Sequence, residues 1–149
     1  MACGKGYWSA AGATTCEDCP EGYYCDLDAT SETDKDNRPC GDGFICGLNT
    51  AEQPYHSDIS VYSCPPGYYC TGNVQTMCAG GTYQPLYGAA SADECLAVPN
   101  GHYTVDGSPP TEYYENKCLP GFYCTSPATS DKAAYCAEKT FRFYGMGKT

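Results

Sequence analysis

Four near-identical segments of seven residues constrain this chain more than any other feature of its sequence. Each has the form Cys-x-x-Gly-aromatic-x-Cys, and the four occupy Cys19–Cys25, Cys40–Cys46, Cys64–Cys70 and Cys118–Cys124. A glycine between two cysteines lets the backbone adopt a positive φ and turn tightly, and an aromatic ring can cover the sulfur atoms. The pattern therefore predicts a repeated turn closed by a disulfide rather than an active site.

A fifth copy of the pattern lacks both cysteines. It keeps the proline, the glycine and the tyrosine, but Val98 and Thr104 stand at the two cysteine positions. The joint loss is expected if the two cysteines of each copy bond to each other, because losing one alone would leave a stray thiol. We therefore predict the disulfides Cys3–Cys16, Cys19–Cys25, Cys40–Cys46, Cys64–Cys70, Cys78–Cys95 and Cys118–Cys124. Spacing does not fix the connectivity, and bonds between successive copies, such as Cys25 to Cys40, are the alternative.

The composition agrees with a scaffold of small cross-linked units. Thirteen cysteines among 149 residues indicate a disulfide framework, and 17 glycines with 11 prolines interrupt most stretches that could form a helix or a long strand. We predict a small disulfide-rich fold, an elongated tandem array of short β-hairpin modules with little regular secondary structure. The predicted modules are residues 1–25, 26–46, 47–77, 78–104 and 105–136, followed by a tail strand at 137–149.

Two longer stretches share one order of motifs. Residues 3–25 and 78–104 each begin with Cys-x-x-Gly and a tyrosine, continue with a Gly-Ala pair, and reach Cys-x-x-Cys or its degenerate form at the next copy of the turn pattern. This order resembles the ephrin-receptor-like cysteine-rich repeat, a module similar in style to those of tumour-necrosis-factor receptors and EGF-like proteins. The resemblance implies short β-hairpins strung into a rod, as in large surface and fibrous proteins of protists and algae.

The cysteines indicate the compartment in which the protein functions, and the net charge excludes some classes of partner. Disulfide frameworks persist in oxidising compartments, so we expect an extracellular or cell-surface protein. The residues Met1–Gly6 have no basic region followed by an apolar core, so we expect the signal segment to be missing from this chain. No run approaches about 18 apolar residues, so no membrane insertion is expected. The net charge of −10 argues against nucleic acid or an anionic membrane as a partner.

Metal and thiol chemistry find little support in the residue spacing. Cys16 and Cys19 have the two-residue gap of a zinc knuckle, but no second pair completes a tetrahedral site, and His56 and His102 have no partner at ligand spacing. The acidic stretch at 26–37 lacks the glycine and the glutamate that an EF-hand requires. We therefore predict no catalytic, cofactor-binding or metal-binding residues, and no enzyme.

Three tyrosine pairs offer contact surfaces. They are Tyr23-Tyr24, Tyr68-Tyr69 and Tyr113-Tyr114. Successive side chains of an extended segment point to opposite faces, so one ring of each pair could cover its own disulfide while the other stays outside and contacts a partner. The alternative is that both rings only cover their own module.

Segments rich in Ser, Thr and Pro follow the degenerate copy and the last complete copy. They are either plain loops or sites of O-glycosylation in a secreted chain. The candidate acceptors are Ser108, Thr111, Thr125, Ser126, Thr129 and Ser130.

The tail carries an unpaired cysteine and a strand pattern. Thirteen cysteines leave Cys136 without a partner in the predicted scheme, so it is expected to be unpaired, to bond another molecule, or to bond Cys118 or Cys124 instead. Beyond it, polar residues alternate with Phe141 and Phe143, and Tyr144 follows. Such a strand either pairs with the sheet edge of another subunit or folds back on the last module of its own chain; we expect the subunit contact at Phe141, Phe143 and Tyr144.

Two functions fit these observations. The first is a structural subunit or segment of an extracellular filament, coat or flagellar-hair-like appendage, which self-associates into a fibre or sheet through disulfide-held modules and aromatic contacts. The second is a receptor or adhesin ectodomain that binds a protein or glycan ligand. Neither requires a cofactor.

Overall fold

Short antiparallel hairpins make up the regular structure of this protein. The computed structural model describes residues 3–26, 31, 35–54, 61–106, 110–132 and 134–135. Its four two-stranded sheets pair β1 (Tyr7–Trp8) with β2 (Glu17–Asp18), β3 (Tyr68–Thr71) with β4 (Val74–Met77), β5 (Thr82–Tyr83) with β6 (Leu96–Ala97), and β7 (Phe122–Tyr123) with β8 (Ala134–Tyr135). A 3-10 turn lies at Ala92–Glu94. The predicted class, a small disulfide-rich protein of short β-hairpins, is confirmed.

Seven segments of the described chain adopt the same turn. We call each a glycine turn, because its fourth residue is a glycine with φ between 83° and 88°. In chain order they are Cys3–Ser9, Cys19–Cys25, Cys40–Cys46, Cys64–Cys70, Cys78–Gln84, Val98–Thr104 and Cys118–Cys124. The sequence pattern identifies five of them and misses the first and the fifth, which begin with Cys-x-x-Gly but end in Ser9 and Gln84.

Each glycine turn exchanges two backbone hydrogen bonds with the next one. At the first step, the Gly6 N–H donates to the Cys25 carbonyl at 2.7 Å, and the Cys19 N–H donates to the Gly6 carbonyl at 3.0 Å. The same two bonds, from glycine to seventh residue and from first residue to glycine, recur at all six steps between the first and the seventh turn. The glycine turns therefore form a continuous ladder.

The strand register follows the same rule. In every step, the fifth residue of a glycine turn pairs antiparallel with the residue directly before the next turn, as in Tyr7 with Asp18 and Thr82 with Ala97. Isolated bridges continue the rule where no strand is assigned, as between Phe44 and Ser63. The starts of successive turns are separated by 14 to 24 residues, so the loops absorb the difference in length while the ladder stays in register.

Among the described residues, cystines and rings pack into small separate clusters. Trp8, the sixth residue of the first turn, packs in one cluster with the Cys19–Cys25 cystine and Tyr23 of the second turn. Tyr24, the sixth residue of the second turn, packs in the same way against the Cys40–Cys46 cystine of the third turn. The expectation that the second ring of a pair stays outside is therefore wrong for Tyr24, which covers the cystine of the next turn.

The disulfides join the same six pairs that the sequence predicts. They are Cys3–Cys16, Cys19–Cys25, Cys40–Cys46, Cys64–Cys70, Cys78–Cys95 and Cys118–Cys124, with Cα–Cα distances of 5.7 to 6.3 Å. The alternative bond from Cys25 to Cys40 is not formed. Cys136 lies outside the described residues, but the alternative that it bonds Cys118 or Cys124 is wrong, because these two cysteines bond each other.

Reduction should unfold the chain. The six disulfides close loops with sequence separations of 6 to 17 residues, and each contributes about 2–3 kcal/mol in the chain-entropy model. The small clusters cannot offset the loss of all six. We expect circular dichroism and resistance to proteolysis to be lost after verified full reduction and alkylation. Persistence of both would mean that packing, rather than sulfur, stabilises the turns.

A methyl group at a ladder glycine should destabilise the protein more than one at a loop glycine. A Cβ on Gly81 would lie 2.8 Å from the Cβ of Pro127, whereas a Cβ on Gly88 would meet nothing within 4 Å; the two φ values are 83° and 84°. Both variants carry the same backbone strain, so their difference isolates the steric clash. We expect Gly81→Ala to lower the free energy of unfolding by about 1–3 kcal/mol more than Gly88→Ala, as measured by urea titration. Equal losses would contradict a tight contact at Pro127.

Candidate functional site at the sixth turn

The sixth turn is built without a cystine. Val98 and Thr104 occupy the two cysteine positions, and their side chains are 0% and 2% exposed. The Thr104 hydroxyl donates a hydrogen bond of 2.8 Å to the Thr82 carbonyl, so the buried oxygen is satisfied. The Thr104 N–H donates to the Ala128 carbonyl at 3.1 Å. A valine and a hydrogen-bonded threonine thus fill the volume of the missing disulfide without breaking the ladder.

In the fifth turn, the amide side chain of Gln84 replaces the second cysteine. Gln84 occupies its seventh position and is 5% exposed. Its side-chain Nε2 donates to the Glu94 carbonyl at 2.7 Å, and its Oε1 accepts a bond of 2.9 Å from the Leu86 N–H. Both polar atoms of the buried amide therefore have partners, and the side chain holds the loop that leads to the sixth turn.

Four rings meet at the sixth turn. Tyr83, His102, Tyr113 and Tyr114 form what we call the sixth-turn aromatic cluster. The Tyr113 ring centroid lies 4.7 Å from that of Tyr83 and 5.1 Å from that of His102, both in edge-to-face geometry. The Tyr114 ring lies 4.4 Å from Tyr113 at a tilt of 36°. Such pairs contribute about 0.5–1.5 kcal/mol each beyond their burial.

The position of Tyr83 explains why the cluster forms here. Tyr83 is the sixth residue of its turn, the place from which Trp8 and Tyr24 cover the cystine of the following turn. The turn that follows Tyr83 has no cystine. Tyr113, from the loop before the seventh turn, packs against Tyr83 and against His102 of the sixth turn, so rings join the segments that flank this turn.

The polar atoms of the cluster are unequally shielded. Desolvation, followed by the influence of Tyr114 and Tyr83, raises the pKa of Tyr113 above its ordinary value. Tyr114 is 59% exposed. The Nδ1 atom of His102 is buried and has no hydrogen-bond partner among the described residues, which is uncommon for a buried polar atom. The cluster therefore places the desolvated Tyr113 and the buried Nδ1 of His102 beside one exposed phenol, that of Tyr114.

A second aromatic contact lies at the start of the ladder. The Lys35 Nζ atom lies 4.7 Å from the centroid of the Trp8 ring and 5.7 Å from that of Tyr23. The same atom is 2.9 Å from a carboxylate oxygen of Asp36. Within the acidic stretch, Asp26 also forms an ion pair with Arg38. These basic groups are engaged within the chain and serve its packing.

Shallow grooves run between neighbouring turns. One, of about 420 Å³, is lined by Tyr23, Asp42 and Asn73 among others. Its amide and one of its carboxylates are engaged: the Asn73 Oδ1 accepts from the Cys46 N–H at 2.7 Å, and the Asp42 Oδ1 accepts from the Gly72 N–H at 2.9 Å. A second groove, of about 510 Å³, has Val61 and Tyr87 in its lining. In the first groove, the side chains of Asn73 and Asp42 therefore bind the backbone of neighbouring turns.

Two asparagines are structural residues that the sequence reasoning missed. Asn49 and Asn73 have φ values of 61° and 62°, a region that asparagine tolerates better than most residues. The Asn49 side chain accepts from the Cys19 N–H at 3.1 Å, as Asn73 does from Cys46. Each lies three residues after the last cysteine of a turn, so a Cys-x-x-Asn pattern was available as a signal.

Some of the other predicted site residues lie within the described part of the chain, and the rest lie outside it. Thr111, Thr125, Ser126 and Thr129 are exposed, and Ser130 is half-buried, so these candidate acceptors are accessible to different degrees. The remaining predicted residues, Ser108, Cys136, Phe141, Phe143 and Tyr144, lie outside the described part of the chain.

Two further findings concern metal binding and membrane crossing in the described ranges. Within those ranges, His, Cys, Asp and Glu side chains do not gather in any group of three or more that could hold a metal ion. No helix among the same residues has the length and hydropathy needed to cross a bilayer.

Comparisons with protein-family models, with curated proteins and with solved structures find no match. The resemblance to ephrin-receptor-like repeats therefore rests on the residues of this chain alone and stays a prediction.

Restoring the cysteines of the sixth turn should stabilise it. The double variant Val98→Cys/Thr104→Cys recreates the spacing of the four turns closed by their own cystine. Closing so short a loop contributes about 2 kcal/mol, which exceeds the loss of the Thr104 hydrogen bond, so we expect the free energy of unfolding to rise by about 1 kcal/mol. Thr104→Cys alone should destabilise, because the hydrogen bond to Thr82 is lost at a cost of about 1 kcal/mol. Disulfide mapping and urea titration of both variants test this. A double variant that stays reduced would show that the sixth turn differs in geometry from the others.

Proposed function

We propose that this chain is a structural segment of an extracellular filament, coat or flagellar-hair-like appendage. The observation that carries the proposal is the ladder of six identical steps, in which every turn bonds to the next and most turns are closed by their own cystine. Because the interactions are between neighbours, an array of this kind gains turns without needing a larger core. Covalent closure within four of the seven turns suits a part that must resist chemical and mechanical stress.

The distribution of charge supports association between copies. Residues 1–54 carry ten acidic and three basic residues, whereas residues 117–149 carry two acidic and five basic ones. The two ends of the chain therefore have net charges of −7 and +3, which attract in a head-to-tail arrangement and repel in a head-to-head one. A head-to-tail contact that does not close into a ring propagates into a filament.

The other parts of the proposal concern the tail and the surface. We assign the subunit contact to residues 137–149, in which Phe141 and Phe143 supply apolar side chains at alternate positions and Tyr144 follows them. The exposed residues Thr111 and Thr125 are the favoured O-glycosylation sites. The six disulfides support export to an oxidising compartment, and the proposal locates the protein outside the cell.

A receptor or adhesin ectodomain is the second candidate. The groove that Val61 and Tyr87 line favours it, because these side chains are 93% and 51% exposed and amphipathic rings are common in contact surfaces. This candidate predicts a monomer that binds a ligand, whereas the structural role predicts self-association without one.

Removal of the tail should separate folding from assembly. The chain lacking residues 137–149 is expected to keep its six disulfides and its circular dichroism but to form no filaments in negative-stain electron microscopy, because the subunit contact is gone. Assembly of the full chain should also weaken between low and physiological salt, since screening reduces the attraction between the two ends.

A matched control replaces Phe141 and Phe143 with serine and leaves the length unchanged; it should assemble as poorly as the truncated chain. Filaments of normal length from the truncated chain would contradict the role of the tail. A full chain that stays monomeric at every salt concentration, and that a glycan or surface-protein panel captures, would favour the receptor instead.

A further inference from the structure

We propose that the sixth-turn aromatic cluster is a site of oxidative tyrosine cross-linking, in which Tyr83 and Tyr113 become joined by a carbon–carbon bond. The proposal adds a covalent modification to the proposed structural role, but it concerns a single chain and is tested without assembly.

The rings of Tyr83 and Tyr113 are already in contact. With ring centroids 4.7 Å apart, carbon atoms of the two rings are at about van der Waals contact. Two phenoxyl radicals couple through their ortho carbons, and a pair already held in contact reacts as an intramolecular pair rather than by encounter. Tyr83 and Tyr113 are 30 residues apart, so the product is a true cross-link.

Tyr114 provides the entry for the oxidant. Its ring is 59% exposed, whereas the rings of Tyr83 and Tyr113 are half-buried. A radical formed on Tyr114 can exchange with Tyr113 at a centroid separation of 4.4 Å, because tyrosine side chains differ little in their ease of oxidation. The three rings therefore form a short path from solvent to the pair that couples.

A cross-link at the sixth turn would have a structural role. The sixth turn has Val98 and Thr104 where other turns have a cystine, so it lacks covalent closure. A bond between Tyr83 and Tyr113 spans that turn, because one residue precedes it and the other follows it. The cross-link would thus close the segment that sulfur leaves open.

The reaction balances with a peroxide as the oxidant. Each phenol loses one electron and its hydroxyl proton to give a phenoxyl radical, and the two radicals form one bond between ortho carbons. The ortho hydrogens then leave as protons, and the phenol oxygens are reprotonated. Overall two hydrogen atoms pass to one hydrogen peroxide, which becomes two waters, with a haem peroxidase of the extracellular space as the class of catalyst.

The experiment uses the full oxidised chain with hydrogen peroxide and a haem peroxidase. After reduction and alkylation of the cystines, cleavage after glutamate places Tyr83 in fragment 53–94 and Tyr113 with Tyr114 in fragment 113–115. We expect a species with the summed mass of the two fragments less two hydrogen atoms, together with dityrosine fluorescence. Its yield should not change with protein concentration, because the coupling is intramolecular.

Tyrosine-to-phenylalanine variants assign the bond, since they keep the ring and lose only the hydroxyl. Tyr83→Phe and Tyr113→Phe should each lose the cross-linked species. Tyr87→Phe is the matched control, because Tyr87 lies in the same fragment as Tyr83 and is 51% exposed but outside the cluster; this variant should keep the species. Tyr114→Phe should keep the species as well and form it more slowly.

Two results would overturn the proposal. One is a cross-link between the two fragments that persists in Tyr113→Phe, which would assign the bond to Tyr114. The other is a wild-type chain that gives only products between molecules, with a yield that rises with concentration. Either result would leave the filament proposal standing, since the truncation experiment needs no oxidant, and a failed truncation experiment would leave the cross-link standing.

Discussion

The exchange of two backbone hydrogen bonds between successive glycine turns is the interaction on which the rest of this structure depends. One residue must present both its N–H and its C=O to the same neighbour, and it does so at a φ of 83° to 88°. A side chain at that residue would be strained, and at Gly6 it would also lie 2.7 Å from the Asn49 carbonyl oxygen. Glycine is therefore the constant residue of all seven turns, more constant than cysteine.

The cystines and the rings act locally on a ladder that the backbone defines. Where both cysteines are present, the disulfide closes the turn. At the second and third turns an aromatic ring of the preceding turn, Trp8 or Tyr24, also covers it. Where the cysteines are absent, as at Val98 and Thr104, the two ladder bonds keep the same lengths, between 2.9 Å and 3.0 Å, on either side of the sixth turn. Sulfur thus contributes stability to a turn whose shape the hydrogen bonds already determine.

The dependence of the structure on contacts between neighbouring turns has a consequence for function. A protein held together between neighbours can be lengthened or shortened by whole turns at little cost to the remainder, which suits a fibre or a coat better than a catalyst that needs distant groups in one place. The sixth-turn aromatic cluster does join two distant residues, as the Asn49 and Asp42 side chains do elsewhere. It brings Tyr83 and Tyr113 together from 30 residues apart, and it does so at the turn without a disulfide, which is why chemistry at these rings would change the structure most.

The sequence alone determined the local features, because they arise between residues six or seven apart. The repeated Cys-x-x-Gly-aromatic-x-Cys pattern was sufficient for the short disulfides and for the positive φ of the glycine, and the joint replacement at Val98 and Thr104 indicated how the cysteines pair. Only the tertiary structure decided that the turns ending in Ser9 and Gln84 belong to the same series. It alone also decided that Tyr24 covers the next cystine and that Tyr83 meets Tyr113. The reason is physical: the register between turns is set by backbone groups that every residue carries, across loops of unequal length, so no side-chain pattern at a fixed spacing encodes it.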